Sequence, residues 1–393
     1  MPSRRSLEIR YAIRDIVLIA NEAKRAGKRL FPLNIGDPGA FDFPTPLHLI
    51  EAVERAMRAG ANGYGDSLGL PEAREAIRAE AARRGVRSAH DAFVCTGSSE
   101  GIEIALAASA DPGDNVLLPQ PGYPFYDAAV CKLGIEPRRY PLVEERGWAP
   151  DVDALASAID PRTRAIVIIN PNNPTGSIVP VETLRAILKV AAQRGVMVIA
   201  DEIYDKLVLD GPPLAPMASL TDDVVVVTFN GLSKAYLAPG WRIGWGLMSG
   251  PAKEAGVLFD AISRMLRARL CSPVPMMHAV RPALEGDHAH LKRAVEALRR
   301  RRDVMMRALK SMPRLSCVEP AAAFYAFPKL EIPGSDKDFV GSLIRETGVM
   351  AVHGGGFGED RGAHLRLVFL PDEATMGQAM ALLGTFLAAY PRS

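Results

Sequence analysis

Between residues 91 and 249, short apolar runs alternate with longer amphipathic ones. DAFVCTG precedes EGIEIALAAS, NVLLP precedes a segment through DAAVCKL, and AIVIIN precedes VETLRAILKVAAQRG; VMVIAD, VVVVTF and WRIGWGLM follow. This alternation predicts βαβ units around a mostly parallel sheet. Runs such as VMVIA and VVVVTF are apolar throughout, as strands covered on both faces should be. From about residue 251 the pattern turns to long helical stretches, KEAGVLFDAISRMLRARL and HLKRAVEALRRRRDVMMRALKSM, and then to short candidate strands in AFYAFPKL, GVMAVHG and HLRLVF. The expectation is a large α/β domain over 46–285 and a smaller α+β domain made of 286–393 together with 1–45.

Length agrees with two domains, since 393 residues exceed the roughly 250–300 at which one core stops growing. Hydrophobic residues make up 48 % and charged residues 23 %, and 47 basic residues nearly cancel 45 acidic ones, so nothing favours nucleic acid or an anionic membrane. The basic clusters at Arg299 to Arg302 and at Arg4 and Arg5 read as solvated charge. Cys95, Cys131, Cys271 and Cys317 are scattered without a CxxC pair, which indicates neither a zinc site nor a disulfide framework. MPSRRSLEIR leads into no apolar stretch of signal-peptide length, and no run approaches a membrane span. A cytoplasmic enzyme is the expectation.

The candidate chemistry centres on NGLSKAYLAPGWRIGW at 230–245, which sets Lys234 down directly after the apolar run VVVVTF. A lysine at the mouth of a sheet, near other cations and partly desolvated, has a depressed pKa and becomes a usable amine nucleophile. NPNNPTG at 170–176 follows one strand and ADEIYDKL at 200–207 follows another. Both therefore fall at the carboxyl ends of parallel strands, where open α/β sheets place their ligand sites.

Together these segments resemble the class I and II aminotransferases, pyridoxal 5'-phosphate enzymes of fold type I, and the resemblance covers nearly the whole chain. N-P-x-N-P-T-G at 170–176, D-E-x-Y at 201–204 and S-K-x-x-x-x-P-G-W-R-x-G at 233–244 carry it. YGDSLGLPEAREAI from Tyr64, TGSSEGI from Thr96, PGYPFY from Pro121, AAAFYAFPKL from Ala321 and HLRLVF around Arg366 support it. LNIGDPGAFDF, INPNNPTG, ADEIYDK, FNGLSK and RLCSPVP are most similar to the bacterial glutamate-pyruvate (alanine) branch.

The resemblance implies a mostly parallel seven-stranded sheet in the large domain. It implies that Lys234 holds the cofactor covalently and, once released, moves the substrate's Cα proton, with an amine that is nucleophile first and base afterwards. Asp201 would pair with the pyridinium nitrogen, Asn173 and Tyr204 would bond the phenolic oxygen, and Tyr123 would stack on the ring. Backbone amides of Ser98, Ser99 and Glu100 at a helix start would cradle the phosphate, joined by Ser233 and Arg242. Tyr64 would come from the neighbouring subunit of a homodimer with composite sites. Arg366 would clamp the substrate α-carboxylate, helped by Gly36 and Asn173, and Tyr11 would close over it.

Two departures stand out. Gly231 occupies a position where many family members carry a serine that bonds the phosphate, though the alanine branch also reads NGLSK. Ala322 stands where P-x-G-A-F-Y has glycine, which puts local backbone geometry in question.

The implied reaction is ping-pong transamination, with alanine and 2-oxoglutarate giving pyruvate and glutamate; no nucleic acid, membrane or metal is implied. Glutamate needs a further cation for its distal carboxylate, and the sequence does not choose among Arg14, Arg267 and Arg269. Aminotransferases for aromatic, branched or aspartate substrates, and lyases on the same cofactor, remain open. A binding protein of the transcription-regulator type is disfavoured because the match begins about 10 residues from Met1, which leaves no room for a helix-turn-helix. GGGFG at 354–358 lacks the spacing of a dinucleotide loop, and His288 with His290 reads as a polar loop.

Overall fold

A computed structural model describes residues 2–9 and 12–391, with the backbone alone at 12–15. Its centre is a sheet in the spatial order Ala89–Thr96, Ile243–Ser249, Val226–Gly231, Met197–Asp201, Thr163–Ile169, Asn115–Gln120, Glu136–Val143 and Ala149–Pro150. The five strands from Val226–Gly231 to Glu136–Val143 pair in parallel. Ile243–Ser249 runs antiparallel to both neighbours. The expected seven strands are joined by an eighth, since the two-residue piece Ala149–Pro150 pairs antiparallel at the edge.

Period-two geometry explains why these strands are apolar throughout. Leu117, Ile166, Ile168, Val198 and Val226 face one core, packed beside Ala73 and Ile77 of helix Pro71–Arg83 and Leu184, Ile187 and Leu188 of helix Val181–Arg194. Val116, Leu118, Val167, Ile199 and Val227 face the other, beside helices Ser98–Ser109, Phe125–Leu133 and Ala252–Ala268. Each fully buried aliphatic side chain contributes roughly 1.5–3 kcal/mol, so the two faces hold the sheet as a rigid platform. Helix Val181–Arg194 stops at Gly195, whose left-handed φ of +63° turns the chain back into Met197–Asp201.

The C-terminal part is led by the long helix Ala289–Ser311. Short antiparallel strands follow, gathered on Ala363–Val368, which pairs with Tyr325–Ala326, Lys329–Leu330 and Val352–His353. The N-terminal segment reaches this part, because Phe31–Pro32 pairs in parallel with Val349–Met350. Among the described residues no helix is long and apolar enough to cross a membrane.

Candidate active site

The strands Thr163–Ile169, Met197–Asp201 and Val226–Gly231 end side by side, so the loops that follow them meet at one sheet edge. There a cleft of about 690 Å³ is lined by Asn173, Asp201, Tyr204, Ser233 and Lys234. Gly36 and Asp37 from the N-terminal segment, and Tyr325 and Arg366 from the C-terminal part, form its opposite wall.

Lys234 donates from Nζ to the Gly36 carbonyl at 2.6 Å. Its ammonium also lies 5.6 Å from the Phe324 ring centre and 6.0 Å from that of Tyr204. Burial lowers its pKa to about 8; Asp37 and Asp201 oppose the shift, whereas Arg366 and Arg242 add to it. Near neutral pH the amine is thus within reach of its nucleophilic form.

Asp201, the last residue of its strand, shows the opposite displacement. Burial raises its pKa to about 6, against hydrogen bonds from Tyr126 and the Ile203 amide and the charge of Lys234. Tyr126 Oη donates to Oδ2 at 3.0 Å, and the Ile203 amide approaches Oδ1 at 3.4 Å. Burial, reinforced by Asp201, pushes the Tyr126 hydroxyl well above its ordinary value, so it stays a donor. The sequence reading passed over Tyr126 although PGYPFY contains it.

One end of the cleft suits a phosphate. Ser98 and Ser99 line it at the start of helix Ser98–Ser109, where first-turn amides have no intrahelical acceptor and the helix dipole favours an anion. Ser233 and Arg242 line the same cleft. Glu100 sits one step back and is not among the lining residues. Its amide is bonded to Gly97 O at 3.2 Å, and its carboxylate accepts from the Thr96 amide at 2.6 Å. Three glycines bring these backbones together. A Cβ on Gly97, at φ +76°, would strike the Arg242 guanidinium, and one on Gly244 would strike the Ser98 amide. One on Gly231 would sit 2.7 Å from Ile243 O, so no side chain fits there as packed, which gives a physical reason for glycine in place of the serine.

At the other end lies Arg366, on strand Ala363–Val368 and 1 % exposed. It donates from Nη2 to Asn34 O, and from Nη1 to Asn173 Oδ1 at 3.4 Å. Its guanidinium lies over the Tyr325 and Phe357 rings at 4.9 and 5.0 Å. Tyr325 in turn shares a 2.7 Å hydrogen bond with Tyr204. A Cβ on Gly36 would approach Tyr325 Oη to 2.5 Å, so the wall admits only glycine at that point. Tyr123 lines the cleft with its ring stacked on Phe125 at 5.9 Å. Asn34, Asp37 and Tyr325 also line the cleft and carry no signal in the sequence motifs.

Other residues fall elsewhere. Tyr64 is 86 % exposed and outside the cleft of its own chain. Tyr11 and the Arg14 side chain lie outside the described residues. Arg269 pairs with Glu100 at 3.3 Å and donates to Val94 O at 2.9 Å, and neither it nor Arg267 lines the cleft. Ala322 is buried and bridges to Val208, while the left-handed residue is its neighbour Ala323, at φ +58°.

These features fit pyridoxal phosphate. A helix start with Arg242 suits the phosphate, a buried carboxylate with a raised pKa suits a cationic ring nitrogen, and a depressed lysine suits a carbonyl carbon.

The family model described as aminotransferase class I and II matches residues 28–383. Glutamate-pyruvate aminotransferase AlaA of Haemophilus influenzae is 37 % identical over 372 residues, covering 93 % of this chain and 92 % of that protein. An alanine aminotransferase of Mycobacterium tuberculosis is 38 % identical over 374 residues, covering 93 % and 87 %. The solved alanine aminotransferase from Pyrococcus furiosus superposes with a TM-score of 0.95 at 40 % identity, covering 99 % of this chain and 100 % of that one.

Proposed function

The chain belongs to the class I and II aminotransferases and is a pyridoxal-phosphate-dependent transaminase, and we propose that its amino donor and acceptor are L-alanine and 2-oxoglutarate, giving pyruvate and L-glutamate. One observation carries the assignment of roles: Lys234, with its pKa near 8, lines one cleft with buried Asp201, between a helix start at one end and Arg366 at the other.

When bound, the cofactor supplies a ring that takes up the electron pair left on the substrate's α-carbon. Lys234 would hold the cofactor through Nζ, and its amine would move the proton at the α-carbon. Asp201, steadied by Tyr126, presents its carboxylate to the ring nitrogen. Asn173 and Tyr204 would bond the phenolic oxygen, and Tyr123 would cover one ring face. The amides of Ser98 and Ser99, with the hydroxyl of Ser233 and the fork of Arg242, would hold the phosphate, whereas the Glu100 amide is already bonded to Gly97 O. Arg366, Asn173 and the Gly36 amide grip the α-carboxylate and thereby fix the Cα–H bond relative to Lys234.

Supporting alanine, Val17 and Ile35 give the cleft an apolar lining suited to a methyl group. Arg267 and Arg269 do not line the cleft, and the Arg14 side chain lies outside the described residues. We assign 46–285 to the large domain and 1–45 with 286–393 to the small one, with Lys234 on the former and Arg366 on the latter. A homodimer that lends Tyr64 to its neighbour's site is supported by the exposure of Tyr64, Leu47 and Leu270, at 86, 67 and 55 %. Four free cysteines suit a cytoplasmic location.

The test is the visible spectrum of the purified protein. L-alanine alone should bleach the band of the bound cofactor, and 2-oxoglutarate should restore it. A band indifferent to alanine overturns the substrate assignment.

A further inference from the structure

Behind the cleft, a buried amide joins the two loops that carry Asp201 and Lys234. Asn230 is 7 % exposed and sits at the end of Val226–Gly231, four residues before Lys234. Its Nδ2 donates to Glu202 O and to Asp205 Oδ1, each at 2.9 Å, and its Oδ1 accepts the Gly231 amide at 2.8 Å. Both donors and the acceptor are therefore in use. One bond reaches the residue after Asp201, one reaches the turn beyond it, and one holds the backbone that leads into Lys234.

Asp205 is itself fixed. Its carboxylate is paired with Arg84, whose Nη2 also donates to Leu214 O at 3.0 Å. Lys206 reinforces the turn by donating to Glu80 at 2.7 Å, and Glu202 does so by accepting the Met217 amide at 2.7 Å. Buried charge pairs are weak sources of stability compared with apolar packing, so their value here lies in holding one geometry. The chain Arg84, Asp205, Asn230 sets the spacing between two strand ends and touches neither cofactor nor substrate positions.

We propose that Asn230 is a positioning residue for the transamination: with Asp205 and Arg84 behind it, it fixes Lys234 in register with Asp201. This rests on the roles given to Lys234 and Asp201 above. Loss of the amide frees the 230–234 loop, lets water reach Lys234 and blurs the alignment of amine and carboxylate.

The test is Asn230→Ala, assayed as holoenzyme with alanine and 2-oxoglutarate, together with a pH titration of the visible band. The kcat should fall by about tenfold to a hundredfold. The alanine KM should stay within about threefold, because Arg366 and Gly36 are untouched. The band's titration midpoint should rise by about one unit, because water admitted by the freed loop favours the protonated form of the group that titrates. A variant with wild-type kcat and midpoint overturns the proposal, whatever its melting temperature. If Asn230→Ala fails to fold, Asn230→Ser decides, since one hydroxyl cannot donate to both Glu202 O and Asp205 Oδ1. It should shift the midpoint in the same direction, and a wild-type midpoint overturns the proposal. Failure of the underlying reading is separable, because wild-type protein would then show no band that depends on Lys234.

Discussion

Lys234 Nζ and the Gly36 carbonyl are 2.6 Å apart although 198 positions separate them in the chain. The contact ties the amine of the large sheet to the segment expected to receive the substrate carboxylate. Before chemistry begins, the amine thus already bridges the two walls of the cleft.

Replacing Lys234 by alanine should lower turnover by roughly 10⁴-fold, the upper range for removal of a positioned acid–base group. Borohydride should fix the cofactor to wild-type protein and leave the variant unlabelled, which mass spectrometry reads directly.

The pKa of about 8 at Lys234 gives a signed pH dependence for reconstitution of the apoenzyme. The neutral amine is the reacting form, so cofactor capture should slow about tenfold per unit below the midpoint and level off above it. Stopped-flow absorbance across the range tests this, and a rate that falls with rising pH would contradict it.

Asp201 titrates in the folded apoenzyme near 6, above its ordinary value of 3.8. The folded state then holds this proton more tightly than the unfolded chain does. Its stability contribution is complete below the ordinary value and is lost as the pH rises through about 6. Asp201→Asn removes that loss. Its stability advantage over wild-type apoenzyme should therefore grow by about 2–3 kcal/mol between about pH 4 and about pH 8 in urea titrations. Turnover of the same variant should fall by a hundredfold or more, on the order expected when a preorganised charge is removed. Tyr126→Phe should move the apoenzyme's loss of stability to higher pH, because Asp201 loses a hydrogen bond to its charged form.

Arg366→Lys keeps the charge and loses the planar fork. The kcat/KM for both amino and oxo acids should drop by about a hundredfold, with the visible band unchanged.

Gly97→Ala places a methyl group against the Arg242 guanidinium at a left-handed φ. The dissociation constant for the cofactor should rise by about tenfold or more, read by fluorescence titration of the apoprotein. The melting temperature of that apoprotein should fall only modestly.

The motif loops were legible because each is local in sequence and follows a recognisable strand. Asn173, Asp201 and Lys234 each follow a predicted strand, and the family resemblance sets them at one site. Tyr126 could not be placed there, because its contact with Asp201 spans 75 positions and depends on the rotational phase of helix Phe125–Leu133. Asn34 gave no signal for a similar reason, since its carbonyl meets Arg366 across 332 positions. Ala149–Pro150 is too short for a period-two pattern to show, and the stretch AFYAFPKL, expected as one strand, is split into Tyr325–Ala326 and Lys329–Leu330 with Pro328 between them.

Gly97, Gly231 and Gly244 leave no atom-sized slack between the helix start and the two strands behind it. The phosphate end of the cleft therefore behaves as an anvil, fixed before any ligand arrives. Selection for new substrates should accordingly find almost no freedom at the anvil.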